Sequence, residues 1–258
     1  MDFRIRDLRV LVTAGASGLG LATAGAFLRE GARVHICDVD EDALAGIADR
    51  LPGVTASVCD VSDPAAVDAL FRDADKALGG LDALVNNAGI AGPTARCEEI
   101  TLAEWERTLA VNLTGQFLCA QRAIPLLRAS DNGSIANLSS AAGRFGFPLR
   151  SAYAATKWGV IGFTKSLSME LGAFGIRVNA ILPGAVAGPR IDRVIAAKAE
   201  QKGLALNVMR DEFVSRTSLK RLVTADDVAN IIVYLASPLG INISGHAMPV
   251  DADTQSLA

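Results

Sequence analysis

The chain has 258 residues, half of them hydrophobic but only 5% aromatic, and a formal net charge of −3. That length supports one α/β domain with a large core, and the alanine-rich aliphatic composition suits small-faced helices on aliphatic strands. The mixed charge offers no basic field for nucleic acid, no apolar stretch has membrane-spanning length, and the charged start Met1-Asp2-Phe3-Arg4 is unlike a secretory signal, so a cytoplasmic protein without a membrane partner is expected.

Apolar runs near 8–13, 33–37, 54–59, 82–86, 133–138, 176–182 and 246–250 read as strands. Helix-like stretches near 18–30, 41–50, 63–79, 101–129, 152–173 and 225–236 lie between them. Gly31, Pro52-Gly53 and Gly79-Gly80 close the first three helices, and Asp63-Pro64 opens the third with an N-cap and a first-turn proline. Alternation of this kind predicts a doubly wound parallel sheet of about seven strands with helices on both faces. Residues 185–222 break the rhythm with two helices. An insertion at the carboxyl end of a strand is expected to be a substrate lid, a peripheral helical hairpin being the alternative.

The first strand runs into Thr13-Ala14-Gly15-Ala16-Ser17-Gly18-Leu19-Gly20, followed by a helix. Glycines there let the backbone approach a pyrophosphate, whose charge the helix N-terminus attracts. Gly15, Ser17, Gly18, Leu19 and Gly20 are therefore candidate cofactor contacts. Asp38 ends the second strand 18 residues after Gly20. A carboxylate there accepts from ribose hydroxyls and repels a 2′-phosphate, which points to NAD rather than NADP.

Tyr153 and Lys157 share a helix face at a spacing of four. A nearby ammonium favours the phenolate and lowers a tyrosine that otherwise titrates near ~10. Four widely spaced cysteines, Cys37, Cys59, Cys97 and Cys119, read as free thiols, and two histidines leave little for a metal centre. His35, inside an apolar run, reads as structural.

The glycine turn, Asp38, Asn86-Asn87-Ala88-Gly89, Asn112, Ser139-Ser140, Tyr153-Ala154-Ala155-Thr156-Lys157 and Pro183-Gly184 follow one another in the order shown by short-chain dehydrogenases/reductases. The resemblance spans residues 7–251. It implies a Rossmann-type, usually homo-oligomeric oxidoreductase, here expected to be a homotetramer, that moves hydride between a nicotinamide and a carbinol or carbonyl carbon. It further implies Tyr153 as acid/base, Lys157 as its partner and a ribose ligand, Ser140 as the hydrogen-bonding group for the substrate oxygen, and Asn112 as part of a proton path. Asp60 and Val61 resemble adenine contacts. Asn87, Ala88 and Gly89, with Asn86, resemble the cofactor-lining segment, and Pro183, Gly184 and Val186 complete the cofactor set. Two departures stand out. Ala14 occupies a place usually held by glycine, where an ordinary backbone or altered phosphate packing is expected, and Gly188 replaces a threonine.

Arg150, three residues before Tyr153, is expected at the pocket mouth, and Arg190 at the start of the insertion. Guanidinium groups grip carboxylate, phosphate or sulfonate in a forked geometry, so a small polar or anionic hydroxy substrate is expected, with Phe145 and Phe147 as apolar wall. Arg144 is expected to face solvent, and surface ion pairs are an equal alternative for Arg190 and Arg193. Two rival functions are an NADPH-dependent carbonyl or oxoacyl-thioester reductase, against which Asp38 argues, and a non-catalytic NAD-binding protein on the same fold.

Overall fold

A computed structural model describes residues 2–257. All seven apolar runs form strands: β1 (Arg9–Thr13), β2 (Arg33–Asp38), β3 (Thr55–Val58), β4 (Ala83–Asn86), β5 (Ser134–Leu138), β6 (Arg177–Pro183) and β7 (Ala247–Val250). They pair in parallel in the order β3-β2-β1-β4-β5-β6-β7. Parallel neighbours need crossovers, and these are supplied by α1 (Gly18–Arg29), the short α2 (Glu41–Ala45) and α3 (Ile47–Arg50), α4 (Pro64–Leu78), α6 (Gly115–Leu127), α7 (Ser151–Leu171) and α10 (Ala225–Ala236), numbered in chain order among ten helices of the described residues.

The strand alternation sorts the core into two layers. Val10 and Val12 of β1 pack with Ala24 and Phe27 of α1 and Val228 and Ile232 of α10. Leu11 faces the other way, into a cluster with Leu70 of α4, Leu127 of α6 and Leu167 of α7. Burial on both faces accounts for the unbroken apolar character of the central strands.

Two long stretches are interrupted. The 41–50 stretch splits into α2 (Glu41–Ala45) and α3 (Ile47–Arg50) because Gly46, a poor helix former, sits between them. The 101–129 stretch is α5 (Leu102–Leu109) and α6 joined by a wide π turn at Ala110–Thr114. Within 185–222 lie α8 (Pro189–Lys202) and α9 (Leu206–Ser215).

β1 and β4 are neighbours, although the chain first builds outward through β2 and β3. The segments leaving their carboxyl ends diverge, which opens a crevice there. The loop after β1 is held tightly. Asn87 Nδ2 donates to the carbonyls of Thr13 (2.9 Å) and Ala14 (3.1 Å), and the Asn87 and Ala88 amides both donate to Thr13 Oγ1 at 2.9 Å. A Cβ on Gly20 would lie 2.0 Å from the Ala14 carbonyl oxygen, and one on Gly15 2.6 Å from Ile36, so the loop fits only with glycine at both places.

Of the two alternatives at Ala14, the ordinary backbone is not the one adopted. The residue's φ is 51°, in the left-handed region, forced by the close pass under Gly20 and by the Asn87 clamp. Left-handed alanine costs roughly 1–2 kcal/mol, of which glycine's greater freedom in the unfolded chain offsets roughly 0.4–1 kcal/mol. Ala14→Gly is therefore expected to stabilise the protein by roughly 0.5–1 kcal/mol, read as a higher urea midpoint at unchanged slope.

Candidate active site

The crevice leads into a cavity of about 670 Å³ at the carboxyl ends of the strands, roofed by α8 and α9. Ala14, Ser17, Leu19 and Asp38 line it toward α1, and Ser140, Tyr153, Lys157 and Arg150 toward α7.

At the α1 end, Ser17 is the extended N-cap residue of α1 and makes no capping hydrogen bond, so its hydroxyl and the first helical amides face the crevice unused. Gly18 begins the helix at φ +51°. Asp38 is 8% exposed; its carboxylate accepts from the amides of Ala16 (3.1 Å) and Asp40 (3.2 Å), which fix its direction. Asp60 and Val61 lie outside the cavity lining. Ser62 donates its amide and hydroxyl to Asp60 Oδ1, and Arg107 pairs with Oδ2 at 3.0 Å. Val61 is buried against Gly115. Ala88 is buried behind Thr13, whereas Asn87 and Gly89 reach the cavity, as do Pro183, Gly184 and Val186.

At the α7 end, Ser140 Oγ accepts from the Ala142 amide at 3.1 Å and lines the cavity together with Tyr153. Burial alone would raise the phenol. Lys157, then Arg190, the Ser140 hydroxyl and Arg150 outweigh it, and the net position is below the ordinary tyrosine range. Lys157 is 3% exposed, donates to the Leu138 carbonyl at 2.7 Å and sits 5.6 Å from the Tyr153 ring centre. Its own desolvation lowers it to about 8, against the pull of the Tyr153 phenolate. Asn112 lies in the π turn and is fully buried. Its Oδ1 accepts from the Ile90 amide (2.7 Å), and its Nδ2 donates to the Ile90 carbonyl and to Thr156 Oγ1. Gly89 keeps space between Asn112 and Lys157: a Cβ there would stand 3.2 Å from Asn112 Oδ1 and 3.5 Å from Lys157 Nζ.

Arg150 is not at the mouth. It is 2% exposed, with its guanidinium carbon 5.1 Å from the Tyr153 ring centre and 5.4 Å from that of Phe147. One terminal nitrogen donates to the Ala91 carbonyl at 2.6 Å, while Nε and Nη1 are buried with no partner among the described residues. Arg190 donates to the Gly89 carbonyl at 3.0 Å and lines the cavity, as does Arg193; neither forms a salt bridge among the described residues. Arg144 does not face solvent freely either: it pairs with the buried Asp251 at 2.6 Å and reaches the Thr254 carbonyl. Phe147 borders the cavity and Phe145 does not.

Sequence reasoning missed Arg216, Thr254, Ser256 and Leu257, which also line the cavity. For Thr254, Ser256 and Leu257 the one signal is position, since the segment following β7 leaves the same edge of the sheet as the loops that carry the motifs, and Arg216 lies at the end of α9 within the 185–222 insertion.

The chain holds only two tyrosines, Tyr153 and Tyr234, so Tyr153 is accessible to direct titration. The absorbance difference between wild type and Tyr153→Phe is expected to titrate below the ~10 of free tyrosine. Lys157→Met, which removes the largest stabiliser of the phenolate, is expected to move that midpoint upward.

Residues 13–252 match a short-chain dehydrogenase family whose description reads enoyl-(acyl carrier protein) reductase. Levodione reductase of Leifsonia aquatica is 33% identical over 254 residues, covering 96% of this chain and 94% of that one. The 2-dehydro-3-deoxy-L-rhamnonate dehydrogenase (NAD(+)) of Sphingomonas sp. (strain SKA58) is 36% identical over 227 residues, 88% of this chain and 87% of its own. The crystal structure of NAD+-bound xylitol dehydrogenase superposes with a TM-score of 0.91 at 25% identity, covering 96% of this chain and 98% of that one. The chain belongs to the short-chain dehydrogenase/reductase family and is an oxidoreductase.

Proposed function

We propose that the protein is an NAD-dependent dehydrogenase that interconverts a secondary alcohol and its ketone in a small polar, anionic hydroxy substrate, with Tyr153 as acid/base. The observation that carries the reading is the charge of the cavity. Its described lining holds Arg150, Lys157, Arg190 and Arg193, none of them in a salt bridge among the described residues, and Arg216, which pairs with Glu212, against one lining carboxylate, Asp38, at the opposite end.

The crevice fits a dinucleotide. The cradle at Gly15 and Gly20 leaves no room for a Cβ, the uncapped start of α1 presents amides to a pyrophosphate, and Asp38 presents its carboxylate to a ribose. Gly15, Ser17, Gly18, Leu19, Gly20, Asp38, Asn87, Ala88, Gly89, Tyr153, Lys157, Pro183, Gly184 and Val186 would hold it, with Asp60 and Val61 at the adenine side. Asp38 favours NAD over NADP, because its two amide bonds prevent it from swinging away from a 2′-phosphate. Both the NAD(+) in the rhamnonate relative's name and the NAD+ in the xylitol dehydrogenase crystal support this choice. Titration of the two cofactors is expected to show tighter binding of NAD, with the gap narrowed in Asp38→Ala.

Bound NAD supplies the hydride acceptor. The chain's residues handle the proton. Ser140 orients the substrate oxygen beside Tyr153, whose phenolate takes the hydroxyl proton while Lys157 and Arg190 stabilise its charge. Asn112 keeps the π turn and Ile90 fixed behind Lys157. In reduction Tyr153 returns the proton. Tyr153→Phe is expected to keep NAD affinity while losing turnover by about 10²-fold or more; near-normal turnover overturns the assignment.

Arg150 and Arg190 receive the substrate's anionic group. The rhamnonate relative is named for a substrate of this charge. Arg150→Ala is expected to raise KM about tenfold or more for hydroxy acids, the loss of one charge-assisted hydrogen bond, and to leave neutral alcohols much less affected. Equal effects on both classes reject anion recognition.

In this reading α8 and α9 form the substrate lid, and faster hydrogen exchange there than in β4 or β5 is the mark of it. The protein is further proposed to be a homotetramer through the outer faces of α6 and α7, where Phe117, Trp158 and Met169 are exposed. Light scattering then returns four times the chain mass.

A further inference from the structure

Two hollows meet at Phe147. One is the cavity over Tyr153, and the other opens to the surface between Phe145, Pro148, Ser151 and Ala154. Phe147, Ser256 and Leu257 line both, so these three residues stand between them.

The partition is built from three separate parts of the chain. Residues 253–257 run antiparallel to the end of α9: the Ser218 amide donates to the Asp253 carbonyl (3.0 Å), the Gln255 amide to the Arg216 carbonyl (2.9 Å), and Thr217 bridges Thr254. The Arg216 guanidinium, itself paired with Glu212, then donates to Ser256 Oγ and the Leu257 carbonyl, each at 3.1 Å. On the other side, Lys198 Nζ of α8 lies 4.1 Å from the Phe147 ring centre and donates to the Pro148 carbonyl at 3.0 Å. The outer hollow is mainly apolar, and one buried hydroxyl, Ser151 Oγ, stands unpartnered at it among the described residues.

We propose that Leu257, seated by Arg216, is a specificity-determining residue that ends the substrate pocket with Phe147 and Ser256 and thereby limits substrate length. The outer hollow is space for the apolar chain of a longer substrate once that wall is thinned. The proposal rests on the preceding assignment of the larger cavity to the substrate. It is separate from the anion reading, because the partition acts on length and Arg150 on charge.

The test compares wild type, Leu257→Ala and Leu257→Trp on lactate and 2-hydroxyoctanoate. Leu257→Ala is expected to raise the ratio of kcat/KM, long over short, by about tenfold or more, the discrimination that an added methylene or two gives in an apolar pocket. Leu257→Trp is expected to lower it, and NAD affinity stays unchanged in both, which shows that they fold. Ratios unchanged in both variants overturn the proposal. If wild type oxidises neither acid, the anion reading fails, and the same ratio is taken on 2-octanone over acetone with NADH. Calorimetric affinities of octanoate and acetate for the NAD complex read the partition without turnover. A ratio that does not rise in Leu257→Ala there counts equally against it.

Discussion

The site depends on the burial of one cation without a counter-ion. Lys157 is almost wholly enclosed and donates to a backbone carbonyl, and among the described residues no carboxylate pairs with it. A buried ammonium of this kind is expensive, and its desolvation already draws it down to about 8. The group able to balance it nearby is the Tyr153 phenolate. The same low dielectric that penalises each charge alone therefore rewards both together, so the two titrations are tied to each other. Asn112, Thr156, Ile90 and the space kept by Gly89 matter because they hold this pair at its separation.

Arg150 repeats the arrangement seven residues earlier, at the N-cap of α7. A guanidinium at 2% exposure, with two nitrogens unpartnered among the described residues, is a charge the fold has desolvated and left incompletely paired. Desolvation lowers it, Tyr153 pulls the other way, and Arg190 adds to the lowering. Sites of this sort are destabilising in themselves and are relieved by an arriving anion. Under the proposed function, binding energy drawn from that relief holds a carbinol against Ser140 and Tyr153 without deep apolar contact.

Much of this was legible in the sequence. All seven strands lie where the apolar runs place them; the five inner strands are buried on both faces and show as unbroken runs, whereas the edge strands β3 and β7 are exposed or half-buried. The glycine loop, Asp38 and the Tyr153–Lys157 pair were legible because each demands a particular residue type at a particular backbone position. What escaped was structure without periodicity. The π turn that carries Asn112 leaves no trace in a pattern that reads as one helix from 101 to 129. The burial of Arg150 escaped because arginine reads as a surface residue until Phe147 and Tyr153 are found stacked about it. The left-handed Ala14 escaped because alanine in sequence carries no mark of the Asn87 clamp that imposes its conformation.

The segment after β7 was invisible for a related reason. Its residues matter only through partners about forty positions earlier, at the exit of α9. That pairing makes the roof and the far wall of the cavity one unit, and the Arg144–Asp251 ion pair ties its root to the loop after β5. The body of the sheet thus holds the Tyr153–Lys157 pair on rigid strand ends and α7, while the shape of the cavity above it is set by a layer joined to it through a few polar contacts. Such a division lets the roof and wall vary in sequence, and so in the shape of the cavity, without disturbing the buried Lys157–Tyr153 couple to which the proposed function assigns the proton transfer.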